Sequence, residues 1–129
     1  MAKIKAFYVD PSTNTAEERE ITPDLDTYYE LLHCDCIDIV NRGFAMCNRR
    51  FDIICDDMGL YADDPRISAI DDHMQPMLVG ALLVIGQADE EGNETSLTDE
   101  DVKILKHYVR SFGTRVHPIP YKMLAGMTY

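Results

Sequence analysis

An apolar stretch runs from Met77 to Ile85 with no charged residue in it. It falls far short of the about 20 residues that a membrane-crossing helix needs. Such a segment has to lie inside a protein core. Its aliphatic run predicts one buried strand over 77–87. Gly80 inside it marks a bulge or a close approach of another backbone.

The flanking segments alternate between two periods. Lys3 to Val9 is β-rich, with Ile4, Ala6 and Tyr8 on one side and Phe7 and Val9 on the other. The turn-forming cluster from Asp10 to Thr15 then leads to a short second strand over Glu17 to Ile21, closing a hairpin. Thr22-Pro23 starts a helix, with Thr as cap and Pro at the first helical position. Leu25, Tyr28, Tyr29 and Leu32 share one face of that helix, which ends near His33.

Cys36 to Val40 alternates, and Asn41-Arg42-Gly43 reads as a turn into Phe44 to Cys47. Asn48-Arg49-Arg50 then breaks the chain before Phe51 to Cys55. These segments predict three strands of an antiparallel meander, closed by a turn over Asp56 to Gly59. Tyr61 to Gln75 has no strong period and reads as loop with at most one helical turn, and Ala88 to Thr95 as an acidic turn. A second helix follows: Thr98 as cap with Asp101 three residues on, Leu97 and Val102 placed for a hydrophobic staple, and Asp99, Glu100 and Asp101 at the positive end of the helix. Its apolar face, Val102, Leu105, Val109 and Phe112, predicts a helix running to Gly113.

This order predicts an α+β fold: a single domain with an antiparallel or mixed β-sheet and two main helices packed on one face. The domain covers 1–113, and 114–129 is a C-terminal tail that docks across it or is partly loose. At 129 residues, 46% hydrophobic and 27% charged, the chain can bury a core without disulfides or metal. Only a short apolar run follows the start, and there is no lipidation box. The expected location is the cytoplasm, where Cys34, Cys36, Cys47 and Cys55 are thiols.

Charge narrows the functional classes. There are 23 acidic against 12 basic residues, a formal charge of −11. Such a field disfavours nucleic acid and suits a basic partner, a cation or solubility. The cysteines with His33 offer zinc-type ligands, but Cys34-Asp35-Cys36 is one residue short of the spacing that wraps a metal, and buried apolar thiols account for them. The pairs Asp56-Asp57, Asp63-Asp64 and Asp71-Asp72 lack the alternation of a calcium loop and read as solvated turns. His73, His107 and His117 stand isolated, and no nucleophile, P-loop or dinucleotide motif is present. No cofactor or metal is expected. The cluster that stands out in an acidic chain is Arg49 and Arg50, with Arg66 and Arg42 as neighbours, because a planar guanidinium suits phosphate and carboxylate.

The stretch Ile21 to Leu105 resembles a family of short proteins encoded by phages and mobile elements, domain of unknown function 3846. The likeness rests on the helix and strand over Leu25 to Val40, on Ile53 to Leu60 followed by Pro65-Arg66, and on Val84-Ile85-Gly86 leading to Ser96 through Asp101. Arg66 stands where the family leads one to expect Asn near Pro65, and the tail after Gly113 has no counterpart. The resemblance implies a phage or mobile-element accessory protein and brings no known activity.

The leading expectation is therefore a non-catalytic binding module. It has two forms: an acidic surface engaging a basic host protein, or a pocket using Arg49, Arg50 or Arg66, with Asp56 and Asp57 beside it, capturing a small anion such as a nucleotide. The alternatives are a metal-assisted hydrolase using Asp56, Asp57 or Asp64 with His73, and a structural or assembly component.

Overall fold

In the computed structural model, which describes residues 2–59 and 62–129, the first two segments form their hairpin. Strand β1 (Ile4–Asp10) pairs antiparallel with β2 (Thr15–Ile21), Ile4 opposite Ile21 and Asp10 opposite Thr15. Met1, Leu60 and Tyr61 lie outside the described residues, so the end of the family motif at Leu60 and the start of the expected loop at Tyr61 are not placed.

Helix α1 (Leu25–Leu32) is capped by Asp24 rather than Thr22: the Asp24 side chain accepts the Thr27 N–H at 2.8 Å. Tyr28 and Leu32 are buried, whereas Leu25, one position into the helix, is 54% exposed. His33 ends the helix in the left-handed region at φ 54.

Strand β3 (Ile37–Phe44) runs straight through the expected turn at Asn41-Arg42-Gly43. It pairs along its length with β4 (Arg50–Asp56), so the expected three-stranded meander is a two-stranded hairpin. The turn falls instead at 45–48. Two turn-type residues serve the sheet here. The Asn41 amide donates across the strands to Asp52 at 2.8 Å, and a Cβ on Gly43 would lie 3.1 Å from the Arg49 carbonyl oxygen.

Part of the expected loop over 61–75 is strand β5 (Ile67–Asp71), with Ser68, Ala69 and Ile70 buried. The expected single strand over 77–87 is two: β6 (Pro76–Val79) and β7 (Leu82–Gly86). Gly80 separates them at φ 84 with open space where a Cβ would be. Backbone conformation rather than crowding calls for glycine there. The break lets the chain pass from β6 at the sheet's edge to β7 at its centre.

Helix α2 (Asp99–Tyr108) carries the full capping box: Thr98 Oγ1 accepts the Asp101 N–H, and Asp101 Oδ2 accepts the Thr98 N–H. It stops at Tyr108, not Gly113. Val109 to Phe112 form strand β8 (Val109–Phe112), antiparallel to β9 (Tyr121–Thr128). Pairing with β9 overrides helical periodicity, and Val109 packs against the same core either way. Gly113 is needed for a close approach, since a Cβ on it would lie 2.4 Å from the Pro118 carbonyl oxygen.

The result is a nine-stranded mixed sheet in the order β2-β1-β7-β4-β3-β9-β5-β6, with β8 also on β9. Among the described residues only β5 and β9 pair in parallel. Tail residues 121–128 thus supply a strand between β3 and β5. Gly126, at φ 76, separates the β9 residues paired with β8 from those paired with β3.

Strand alternation sorts the core around the central strands in two, and a smaller third cluster, Ile70, Tyr121 and Met123, lies on β5 and β9. Phe7, Val9, Phe51, Ile53, Leu82 and Val84 pack with Val102 and Leu105 of α2. Ala6, Tyr8, Ile54, Leu83 and Ile85 pack with Tyr28 and Leu32 of α1. The helices therefore cover opposite faces of the central strands, not one face as expected. That is why β7 is buried at every position. No helix among the described residues is long and apolar enough to cross a membrane.

Candidate functional site

The three arginines expected to line one pocket go to different places. Arg49 precedes β4 and reaches the start of α2, donating to Asp101 Oδ1 at 2.5 Å and Glu100 Oε2 at 3.2 Å. Arg50, first residue of β4, donates through Nε to Asn41 Oδ1 at 2.6 Å and through its terminal nitrogens to the backbone carbonyls of Asn41 and Tyr129. Arg42 lies with its guanidinium 4.8 Å from the Tyr129 ring centre. Arg66, just before β5, stands apart from all of them.

Arg66 has fewer partners than Arg49 or Arg50. It donates Nε to Asp64 Oδ2 at 3.3 Å, and neither terminal nitrogen has a protein acceptor among the described residues. Its guanidinium sits 5.6 Å from the Tyr121 ring centre. Asp64 accepts a second bond, from His117 Nε2 at 2.6 Å. The His117 bond first, with Arg66 behind it, holds the Asp64 carboxyl below its ordinary value. Tyr121, the first residue of β9, is 3% exposed, and its hydroxyl has no hydrogen-bond partner among the described residues. Burial pushes its phenol up, opposed by the nearby Ile67 N–H.

Two cavities meet at this arginine. One, about 150 Å³, is acidic: Asp10, Asp56 and Asp64 line it with His33. Asp10 is buried, held by Tyr8 Oη at 3.1 Å and the Ser12 N–H at 3.0 Å. Burial, then Asp10, pushes the Tyr8 phenol up to about 12. The other is a groove of about 350 Å³ whose walls are Pro11, Pro118, Ile119, Pro120 and Tyr121, with Ser12, Asn14, Arg66 and His117 as its polar groups. The lip is apolar and open, Val116 and Ile119 being about four-fifths exposed. Asn14 is fixed at φ 55, and its side-chain oxygen accepts the Lys122 N–H at 2.7 Å. That bond ties the β1–β2 turn to the start of β9.

The chain's charge is unevenly divided along the sequence. All 23 acidic residues lie at or before Asp101, while Lys103, Lys106, Arg110, Arg115 and Lys122 follow it. The segment 116–121 that forms most of the groove's wall therefore carries no side-chain carboxylate, and Arg66 is the one Lys or Arg among the described residues lining the groove.

Of the expected acidic site residues, Asp56 lines the small cavity with Asp64 and Arg66 and also, together with Asp57, a second cavity beside Met77 and Val79. His73 sits far along the chain in the β5–β6 turn with Asp71 and Asp72. Those three are the one group among the described residues whose side-chain ligand atoms converge closely enough to hold an ion. Asp71 there already accepts the Gln75 N–H and, with smaller effect, the His73 N–H, which lowers its pKa. Of the residues of the hydrolase alternative, Asp56 shares one cavity with Asp64 and another with Asp57, while His73 stands apart from them in the β5–β6 turn. The cysteines are free thiols, and burial pushes Cys55 up to about 11.

Sequence reasoning missed His117 and Tyr121. The His117–Asp64 bond spans 53 positions, and no local pattern announces it. The one available signal was the absence of acidic residues after Asp101.

No curated protein and no solved structure matches the chain. The profile of the family described as domain of unknown function DUF3846 matches residues 4–113, ending at the glycine that precedes the groove loop. That match covers β1 through β8 and leaves the groove's outer wall outside it. The chain belongs to the DUF3846 family.

Proposed function

We propose that this protein is a non-catalytic binding module whose groove beside Arg66 captures a small anion on an apolar or planar body, such as a nucleotide. One observation carries the reading: Arg66 is fixed by Nε to Asp64 and backed by Tyr121, while both terminal nitrogens lack a protein acceptor among the described residues. A guanidinium held this way is organised for a bidentate anion, and its positioning cost is met by the fold. The groove's size suits a ligand of nucleotide dimensions, and its proline-rich walls offer flat apolar contact. In the phage or mobile-element setting that the family resemblance suggests, such a module would sense a nucleotide signal inside the host cell.

Calorimetric titration with adenosine monophosphate and with inorganic phosphate tests it. The nucleotide should bind, phosphate more weakly, and Arg66→Ala should weaken the nucleotide by roughly tenfold or more. Arg50→Ala should leave binding unchanged. Binding that survives Arg66→Ala, or no binding of either ligand, would reject the reading.

A further inference from the structure

Strand β2 is an outermost strand of the sheet, and its edge is unusual for being regular. It pairs with β1 through all seven residues with no register shift. Among the described residues the backbone of 15–21 pairs with nothing else. The opposite edge is blunted by shape: β6 has four residues, begins with Pro76 and is irregular against β5. No such irregularity protects β2, whose outward N–H and C=O groups, on alternate residues, have no backbone partner among the described residues, although its Thr15 end lies near β9.

What β2 carries instead is charge of one sign. Glu17, Glu18 and Glu20 are exposed. Glu18 and Glu20 stand opposite Phe7 and Lys5, on the face covered by α2, where Asp99 in the first turn of α2 adds a further carboxylate. Lys5 is shared between Glu18 at 3.2 Å and Asp99, and Lys103 also lies near Asp99. Arg19 is turned to the other face, over the Tyr8 ring at 4.5 Å and paired with Glu17. A second β2 laid on this edge would set glutamate near glutamate, which is destabilising, whereas a strand with Lys or Arg at alternate positions would set opposite charges together. The carboxylates alone would point to no ligand; the unpaired backbone row gives them a geometry.

We propose that the β2 edge docks an extended basic segment of a partner protein by strand addition, with backbone bonds supplying affinity and alternate Lys or Arg side chains meeting Glu18 and Glu20. The chain's net charge of −11 steers such a segment in. This surface is separate from the Arg66 groove and does not depend on it.

The test uses the full chain and three labelled peptides of equal length: alternating Lys-Thr, alternating Glu-Thr, and a Lys peptide of the same charge with proline in place of threonine. Fluorescence anisotropy gives affinity, and amide hydrogen exchange locates the contact. The Lys-Thr peptide should bind and slow exchange at alternate residues of 15–21. The proline peptide, the Glu-Thr peptide, and the variant Glu18→Gln/Glu20→Gln with Lys-Thr should each be weaker by roughly tenfold or more. If the variant self-associates, the Lys-Thr and proline peptides on the unaltered protein decide the matter. Equal binding of those two peptides, protection away from β2, or no binding of Lys-Thr would overturn the proposal and leave the glutamates as guards against edge pairing.

Discussion

Arg49 and Arg66 both hold aspartates, yet they do opposite things for the molecule. Arg49 reaches an aspartate that is itself part of a helix cap and is 7% exposed, so its charge completes the start of α2. Arg66 reaches an exposed aspartate through one nitrogen and keeps the rest of its fork beside a groove. In an acidic chain an arginine marks an anion site only when its donors are unengaged. Residue type and neighbours in sequence do not reveal that.

The largest effect expected from this contrast is on stability at Arg49. Arg49→Ala leaves the buried Asp101 carboxylate with the Thr98 N–H alone, and urea unfolding should show a loss of about 1–3 kcal/mol. Groove binding should be untouched. Arg66→Ala should do the reverse: roughly tenfold weaker nucleotide binding, with a stability change within about 0.5 kcal/mol. If both variants lose stability alike, the contrast is broken.

A smaller loss of about 1 kcal/mol is expected from Thr98→Ala, which removes the cap's acceptor for the Asp101 N–H. Because Thr98 and Arg49 share Asp101, the double variant should depart from additivity by about 0.5 kcal/mol or more, whereas Thr98→Ala with Arg66→Ala should add simply. Comparing urea unfolding of the unaltered chain, the three single variants and the two double variants checks this.

The smallest effect is one of pH. The Asp64 carboxyl lies below its ordinary value of 3.8 in the folded protein, through His117 first and Arg66 second. A depressed carboxyl contributes stability above its unfolded value and loses it as pH falls through the folded one. His117→Gln should therefore reduce the loss of stability seen between pH 5 and acid, measured by urea midpoints. The exposure of Asp64 keeps the change small. An unchanged acid limb would remove the His117–Asp64 pair from the account.

Local chemistry was legible where local chemistry decides. The capping box at Thr98 and Asp101 satisfies backbone groups within four residues, so the sequence contains it whole. The first hairpin reads for the same reason. Asn41 and Gly43 misled because their turn chemistry is outweighed by a cross-strand bond to Asp52 and a close approach to Arg49. Strand β5 was hidden by its brevity and by the flanking aspartates, and α2 read too long because Val109 and Phe112 suit a helix face as well as a strand. The helices' placement on opposite faces follows from which alternate residues of β1, β4 and β7 each helix meets, which depends on strand order. In the site, Arg66 and Asp56 were legible as types. The groove was not, because it joins the β1–β2 turn, Arg66 and the loop 114–120.

The most direct test of the groove is a two-dimensional NMR titration of the labelled protein with adenosine monophosphate, following backbone amides and the Arg66 guanidinium. Shifts concentrated at Ser12, Asn14, Arg66, His117 and Tyr121, and lost in Arg66→Ala, are the predicted result. Shifts centred on Arg49 and Arg50, or a spectrum unmoved by the nucleotide, would contradict it.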